Sequence, residues 1–463
     1  MPTIQRSRAP GRVPDGIVAA VLACVIAGTA GWSMRAYVRH LADRHLALVT
    51  TGDMPFKYQT LTLQRAALAS GHVLPIYGSS ELFCCGRPFR PTQVFASRPT
   101  GFDVLALGRA GTGDLFFAQT FAALGHDLRD KRVVVSDSPS WFWNRNGPPP
   151  AQEGSNVLPE VAYAFVFNAL ISLPVREIGA RRMLAYPETL RDDPLLRRAV
   201  EDLAHPTRIN LAGYAALAPL GRVAAWALEV RDAARTAAFL WNAKRRPAMP
   251  PRPAPLDWVE MAARGTRVAE AASTTNPFGF SEATYRELRR RPKVRDALAL
   301  YDSGRTNRDG GVLPRPRAWE RAVSRSTEWA DLRLALGVLR AVRARPLVWT
   351  LPLPGAFYDY TAVSAPVRRA YYERYERTGE RAGVPWLDFR AHDEDRYFVT
   401  DPGSHLSARG WAFADRALDV FWHAGSIDDI RAALATLARE VPAPGPPREL
   451  AAAAGAQPVG VSD

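Results

Sequence analysis

Gly78-Ser79-Ser80-Glu81 places two serines directly after a short apolar run, Val73 to Tyr77. A serine on such a turn stands clear of the strand end, which is the exposure a nucleophile needs. Ser80 would also open the next helix, where free backbone N–H groups and the positive dipole end favour a developing oxyanion. Taken alone, a serine with a glutamate beside it is also an ordinary helix start. Near the other end of the chain, Asp401-Pro402-Gly403-Ser404-His405-Leu406 holds a carboxylate and an imidazole in one short turn. These are the residue types that orient and supply a general base. Taken alone, that pair is also a solvated loop whose Asp and His cap a turn and a helix. In the order Ser, Asp, His on one sheet, the two stretches make a candidate triad for acyl chemistry: Ser80, Asp401 and His405.

An oxyanion also needs donors from neighbouring loops. In Gly108-Arg109-Ala110-Gly111-Thr112-Gly113, small residues let backbone N–H groups approach a substrate oxygen, and Gly111 is the candidate donor. This loop fits neither the dinucleotide fingerprint nor the P-loop. Ser138-Pro139-Ser140-Trp141-Phe142 offers the Ser140 hydroxyl as a second donor and an aromatic wall, although Trp141 and Phe142 also read as plain packing. No Cys/His grouping has metal-ligand spacing, so no metal is expected, and no cofactor motif is present. The adjacent Cys84 and Cys85 are expected as two buried thiols, with a strained vicinal bridge as the alternative.

The elements that must position these groups are short apolar runs bounded by Gly, Pro or Asp: Val73 to Tyr77, Val104 to Leu107, Arg132 to Ser136, Leu347 to Leu351 and Val384 to Phe389. Such runs suit parallel strands buried on both faces. Helical stretches at Asp114 to Leu124, Trp329 to Ala344 and Ala365 to Ala382 alternate with them, which predicts a doubly wound α/β sheet of about five strands. Ligands in such sheets bind at the carboxyl ends of strands, where Ser80 falls. Residues 146–328 read as a mainly helical insertion between the third and fourth strands. Its helices are expected at Val161 to Leu173, Pro194 to Leu203 and Leu211 to Lys244, broken by prolines at 148–150 and 247–255. The tail from Val441 to Asp463 is Ala, Pro and Gly with few large apolar residues, so disorder is expected there.

With 463 residues, 47% of them hydrophobic, the chain can bury a full core, which excludes a disordered or collagen-like protein. The formal net charge is +14, yet lysine occurs only at Lys57, Lys131, Lys244 and Lys293, and the other basic residues are arginine. That skew partly reflects GC-rich coding. The excess also suits anionic partners, and no nucleic-acid-binding signature accompanies it. From Gly16 to Met34 there are 19 residues without a charge. As a helix they reach about 28 Å, just enough for a hydrocarbon core of roughly 30 Å. Trp32 and Tyr37 stand where an interfacial aromatic belt belongs, and Arg35, Arg39 and Arg44 follow. A retained anchor is expected over a cleaved signal peptide ending near Gly28 and Ala30. Arginines flank the span on both sides, so charge alone leaves its orientation open. No later segment has a comparable apolar run.

With these residues assembled, the chain resembles the DltD family, membrane-anchored SGNH-type proteins of teichoic-acid D-alanylation. The likeness runs through Gly78 to Leu82, Gly108 to Gly111, Ser138-Pro139 with Trp141-Phe142, Asn276-Pro277-Phe278-Gly279, Glu328 with Asp331, Gly355 with Tyr358 to Thr361, and His405-Leu406 with Gly410-Trp411. The resemblance implies an SGNH or flavodoxin-like fold, Ser80 as nucleophile, His405 as general base and Asp401 orienting it. Ser79, Arg109, Trp141 and Tyr358 complete the candidate binding set. It also implies one N-terminal anchor with a cytoplasmic tail, the catalytic domain outside the cytoplasm, a membrane-bound O-acyltransferase (DltB) as partner, a D-alanyl carrier protein system acting from inside, and an anionic envelope polymer as acceptor. The boundaries expected are a tail at 1–15, an anchor at 16–36, a neck at 37–71, a catalytic domain at 72–145 and 329–440 around the insertion at 146–328, and a loose tail at 441–463. Asp401 precedes His405 by four positions where the family has D-x-x-H, which leaves Asp388 as an alternative. Ser140 replaces a family amide, and Pro354 stands where the family has asparagine.

Overall fold

Five buried apolar runs align in one parallel sheet: β1 (Val73–Gly78), β2 (Asp103–Gly108), β3 (Arg132–Asp137), β4 (Arg345–Thr350) and β5 (Trp386–Asp388). The structure is a computed structural model that describes residues 15–51, 59–97, 100–243, 256–273, 276, 278–292, 295, 316–360 and 363–439. The termini and the stretch at 247–255 fall outside the described residues, as do Pro277 and Thr361. The strand order is β2-β1-β3-β4-β5, so the chain winds outward in both directions from β1. A doubly wound sheet opens a crevice at that reversal, beyond the carboxyl ends of β1 and β3. The predicted α/β architecture is observed, with strand ends moved by one or two residues. β5 is shorter than expected, because this edge strand pairs only through Trp386, Leu387 and Asp388.

Helices cover both faces of the sheet. The Asp114–Leu124 helix is largely apolar and buried at every position, its polar Asp114, Gln119 and Thr120 included, as suits a helix with no solvent-facing side. It packs against the Glu328–Ala341 helix, and the Ala365–Ala382 helix adds Tyr371, Tyr372 and Tyr375 to a core that also holds Trp329, Trp349 and Trp411.

In the insertion the Pro159–Phe167 helix stops earlier than the apolar pattern suggested. Asn168 breaks it: its backbone is extended, its amide donates to the Ala122 carbonyl at 2.6 Å and its side-chain oxygen accepts the Leu170 N–H at 2.9 Å. The long helix Arg208–Asn242 begins earlier than expected, because the Thr207 hydroxyl accepts the Asn210 N–H and caps it.

The N-terminal apolar run lies in one helix, Asp15–Arg44, whose Ile17, Val21, Leu22, Val25 and Ile26 are exposed. Its last third instead docks on the Arg208–Asn242 helix, where Arg35 meets Glu229 at 2.9 Å and Val38 and Ala42 are buried. By length and composition both helices are long and apolar enough to cross a membrane. The second carries no long uncharged run in the sequence, since Arg222, Glu229, Arg231 and Asp232 interrupt its apolar stretch. Asp232 is buried on the domain, accepting from the Thr62 N–H at 2.9 Å and the Thr62 hydroxyl at 2.6 Å.

Candidate active site

β1 and β2 end side by side at Gly78 and Gly108. A side chain on Gly108 would put its Cβ 2.0 Å from the Gly78 carbonyl oxygen, so only glycine lets the two strand ends meet this closely. The chain then turns through Ser79 into a short helical turn, Ser80–Leu82. Glu81 folds back beneath this turn, and its Oε1 accepts the Ser79 N–H at 2.6 Å. The Ser79 hydroxyl bridges to the second loop: it accepts the Gly111 N–H at 3.1 Å and donates to the Arg109 carbonyl at 3.3 Å. With Ser79 and Glu81 held inward, Ser80 is the half-buried residue whose hydroxyl opens outward.

The other half of the site is a loop closed by an antiparallel bridge between Val399 and Leu406. The Thr400 N–H donates to the His405 carbonyl at 2.8 Å and the Ser407 N–H to the Phe398 carbonyl at 3.0 Å. Within the loop His405 Nε2 lies 2.8 Å from Ser80 Oγ, and His405 Nδ1 lies 2.6 Å from Asp401 Oδ2. An Nδ1–H donating to the carboxylate leaves Nε2 free to accept the serine proton. Asp401 is itself held, by the Gly403 N–H at 2.8 Å and the Thr400 hydroxyl at 3.1 Å. The residue that separates this loop from D-x-x-H is taken up at Ser404, which adopts a left-handed φ of 64° and tightens the turn enough for the carboxylate to reach the ring. Asp388 has a different partner: Arg390 grips both its oxygens, at 2.8 Å and 2.9 Å through Nε.

Burial draws the His405 pKa down, but the hydrogen bond and charge of Asp401, with the charge of Glu81, hold it above the ordinary imidazole value. A base must be neutral to accept a proton, so the reactivity of Ser80 is expected to rise with pH over a window above the usual histidine midpoint of about 6.5. The check is the rate of Ser80 labelling by a fluorophosphonate from pH 5 to 9. A flat profile would contradict the assignment, and Asp401→Asn should move the inflection downward.

The remaining sequence-derived residues occupy several distances from this pair. Tyr358 is buried and its hydroxyl donates to the Pro402 carbonyl at 3.0 Å, so it props the loop between Asp401 and His405. Arg109 extends to the surface, donating to the Ser155 carbonyl at 3.0 Å. Ser140 and Trp141 lie half-buried in the short Pro139–Phe142 helix, and among the described residues neither hydrogen-bonds to Ser80 or His405. Asn276 ties a knot by accepting the N–H groups of Phe278 and Phe280, at 3.2 Å and 3.0 Å. That knot sets the Ser281 N–H on the Thr400 carbonyl at 3.0 Å, so the insertion braces the loop that carries the imidazole. Glu81 is the residue that sequence reasoning undervalued. It read as part of a helix start, and the signal for more was a carboxylate directly beside the serine.

Cys84 and Cys85 correct an expectation. They are not buried thiols but a vicinal disulfide, with Cys84 exposed and Cys85 half-buried, and the sulfurs lie within 4.8 Å of an Asp401 oxygen. The pair follows the Ser80–Leu82 turn into the mouth of the site rather than into the core, which the adjacent apolar residues Leu82 and Phe83 disguise in the sequence.

Behind the crevice lies a group of buried carboxyls. Glu328 accepts the Asp114 N–H at 2.8 Å, Asp137 accepts from the Tyr375 hydroxyl at 2.6 Å, and Asp331 takes a two-pronged contact from Arg182 at 2.7 Å and 2.8 Å, fastening the insertion to the sheet domain. Burial pushes the Asp137 carboxyl up to about 7, where the hydrogen bond from the Tyr375 hydroxyl restrains it. Burial, then the Asp331 charge, pushes Glu153 up to about 8. In the unfolded chain such groups ionise near pH 4. Between those values the folded state binds more protons, so the stability these carboxyls contribute at low pH is lost as pH rises through about 7 to 8. The thermal midpoint of the full chain should therefore fall from pH 5 to 8.5, and Glu153→Gln should flatten the upper part of that fall. A midpoint that rises over this range would overturn the assignment.

The family model described as DltD protein matches residues 54–423 of the chain. Protein DltD of Bacillus subtilis (strain 168) is 26% identical over 389 residues, covering 84% of this chain and 92% of that protein. Protein DltD of Staphylococcus aureus (strain NCTC 8325 / PS 47) is 23% identical over 358 residues, covering 77% of this chain and 82% of that protein.

Proposed function

This chain belongs to the DltD family, and we propose that it is a serine-dependent acyltransferase of cell-envelope D-alanylation, with Ser80 as nucleophile, His405 as base and Asp401 as the residue that orients it. The observation that carries this reading is the unbroken chain of hydrogen bonds from Ser80 Oγ through the imidazole to Asp401, at the carboxyl edge of the sheet. Ser80 Oγ bonds to the carbonyl carbon of an activated D-alanyl or related acyl group as its proton passes to His405 Nε2. The leaving group takes that proton, and a serine ester remains. A hydroxyl of an anionic envelope polymer then gives its proton to His405 and attacks the ester, which restores Ser80. The developing oxyanion would rest on backbone N–H groups around Ser80, with Gly111 joining if its N–H is shared with Ser79 Oγ, and with Ser140 at the margin.

The apolar segment at 16–36 would anchor the protein by a single pass, with residues 1–15 in the cytoplasm and the catalytic domain outside, periplasmic in a Gram-negative organism. Residues 37–71 would form the neck, 72–145 and 329–440 the SGNH-like domain, 146–328 the helical insertion and 441–463 a loose tail. The partners would be a membrane-bound O-acyltransferase and, indirectly, the carrier protein that delivers D-alanine.

A fluorophosphonate probe applied to the full chain, followed by peptide mass mapping, tests the nucleophile. Modification confined to Ser80 is expected. Folded protein that takes no label would favour a non-catalytic scaffold, and turnover that releases only the free acid would favour an esterase or thioesterase.

A further inference from the structure

Cys84 and Cys85 sit between the two halves of the site. The Cys84 N–H donates to the Ser80 carbonyl at 3.0 Å and the Phe83 N–H to the same oxygen at 3.1 Å, so the pair leaves the nucleophile turn in a fixed direction. Past the pair, Gly86 adopts a left-handed φ of 80° and lies against the C-terminal half of the chain. A Cβ there would stand 2.3 Å from Trp411 Cδ1 and 3.2 Å from the Leu406 carbonyl oxygen. The buried Arg90 fastens the segment by donating to the Phe83 carbonyl at 2.9 Å. Held in this way, both sulfurs lie within 4.8 Å of a carboxylate oxygen of Asp401.

A bridge between sequence neighbours closes no length of chain. It therefore gives the unfolded state almost none of the constraint through which a long-range disulfide stabilises a fold. The hydrogen bonds and packing at Ser80, Phe83 and Gly86 keep the segment in place without it. Cys84 is exposed at the mouth, where an exchange partner can reach it, and exposed disulfides are the labile ones. Once the bridge is opened, two thiols and a carboxylate face one small volume. That is the donor set of a thiophilic divalent ion. Around zinc, with bonds of about 2.3 Å to sulfur and 2.0 Å to oxygen, neighbouring ligand atoms stand roughly 3.5 to 3.8 Å apart. Side-chain rotation that parts the sulfurs and turns them toward the carboxylate brings donors already within 4.8 Å of one another to that spacing.

We propose that Cys84, Cys85 and Asp401 form a redox-gated site for a thiophilic divalent metal ion of the Zn²⁺ type, and that filling it switches off the Ser80 centre. An external dithiol opens the bridge by exchange, becoming a disulfide as two electrons and two protons pass to the cysteine sulfurs. The metal ion then displaces the two thiol protons to solvent and bonds both thiolates and one Asp401 oxygen, with water as the fourth ligand. The metal keeps its oxidation state throughout. Asp401 Oδ2 is the atom that holds His405 Nδ1, at 2.6 Å, so a cation on that carboxylate loosens the imidazole and makes it a weaker base toward Ser80. The switch rests on the roles proposed for Ser80, His405 and Asp401, whereas metal binding needs no nucleophile.

The test uses the full chain in neutral detergent with Cys24→Ser, which removes the free thiol of the N-terminal helix. The chain is reduced with a phosphine and desalted, and Cd²⁺ is the probe because its thiolate complexes absorb in the ultraviolet. One Cd²⁺ per reduced chain, with the thiolate band, is expected, and none for the chain left oxidised. Cys84→Ser/Cys85→Ser should lose the band. Asp401→Asn should bind at least about tenfold more weakly, since losing a direct ligand costs no less than losing an outer-shell partner. Ser80→Ala should bind as the parent does. Unfolding midpoints equal to that of the oxidised parent show that the fold is retained. A reduced chain without the band, or equal affinity in Asp401→Asn, would overturn the site. Bound Cd²⁺ should also slow fluorophosphonate labelling of Ser80 at least about tenfold in the reduced chain, and leave the oxidised chain and the serine double variant unaffected. Equal labelling with the metal bound would overturn the switch. Metal binding as described, with Ser80 unlabelled in every state, would overturn the catalytic reading and leave the metal site standing.

Discussion

Ser80→Ala is expected to abolish transfer of labelled D-alanine to envelope polymer, with a loss of at least about 10⁴-fold, while the thermal midpoint stays within about 1 °C of the parent. The size follows from chemistry. Without Oγ no serine ester can form, and His405 Nε2, 2.8 Å away, has no proton to accept from a nucleophile. The small effect on stability follows from position. Ser80 is half-buried at the mouth, whereas Ser79 and Glu81 make the bonds that hold the turn, to Gly111, Arg109 and the Ser79 N–H. Incorporation of label by a folded Ser80→Ala protein would remove Ser80 from the mechanism and leave the scaffold reading in its place. Loss of polymer acylation in the parent, with free D-alanine accumulating, would instead keep Ser80 and change the acceptor to water.

Asp401→Asn should reduce the same transfer by about 10³ to 10⁴-fold, or roughly 4 to 5.5 kcal/mol in transition-state free energy, with little change in binding of the acyl donor. The amide is nearly isosteric, so the loop should keep its shape. What changes is the partner of His405 Nδ1, now 2.6 Å from an oxygen of Asp401. An asparagine can present its NH₂ group there and favour the tautomer whose Nε2 carries the proton, which cannot accept one from Ser80. Asp388→Asn is the matched control. That carboxylate is engaged by Arg390, so its loss should lower stability and leave the pH dependence of the reaction in place. If Asp388→Asn abolished transfer and Asp401→Asn left it unchanged, the roles would be reversed.

Two of the three departures from the family pattern take on physical meaning in the fold. The extra residue between Asp401 and His405 is absorbed by the left-handed backbone at Ser404, so the altered spacing gives no ground for a silent site. Ser140, the shortened donor, makes no bond to the serine or the imidazole, which shifts the expected oxyanion contacts toward backbone groups of the first two loops. Nothing in the structure explains why Pro354 replaces asparagine.

The sheet, and the order of the chemistry along it, can be read from local pattern alone. A strand buried on both faces needs an apolar run whatever its neighbours are, and the end of that run at Gly78 says where Ser80 must surface. The helices at Asp114–Leu124 and Ala365–Ala382 were legible to the residue for the same reason, since helical period and capping are local properties. The 16–34 run is likewise visible without a fold, being defined by the absence of charge. Which carboxylate meets His405 depends on how the chain folds back, because Asp388 and Asp401 both lie near it in sequence and only the path of the chain separates them. The same folding turns Cys84 and Cys85 toward the mouth rather than the core, and directs the Gly111 N–H at Ser79. The serine and the imidazole stand 325 positions apart, and no local pattern encodes a contact over that span. It follows from closing β1 and the 399–406 loop onto the same edge of the sheet, with the Asn276 knot and Tyr358 holding the loop there.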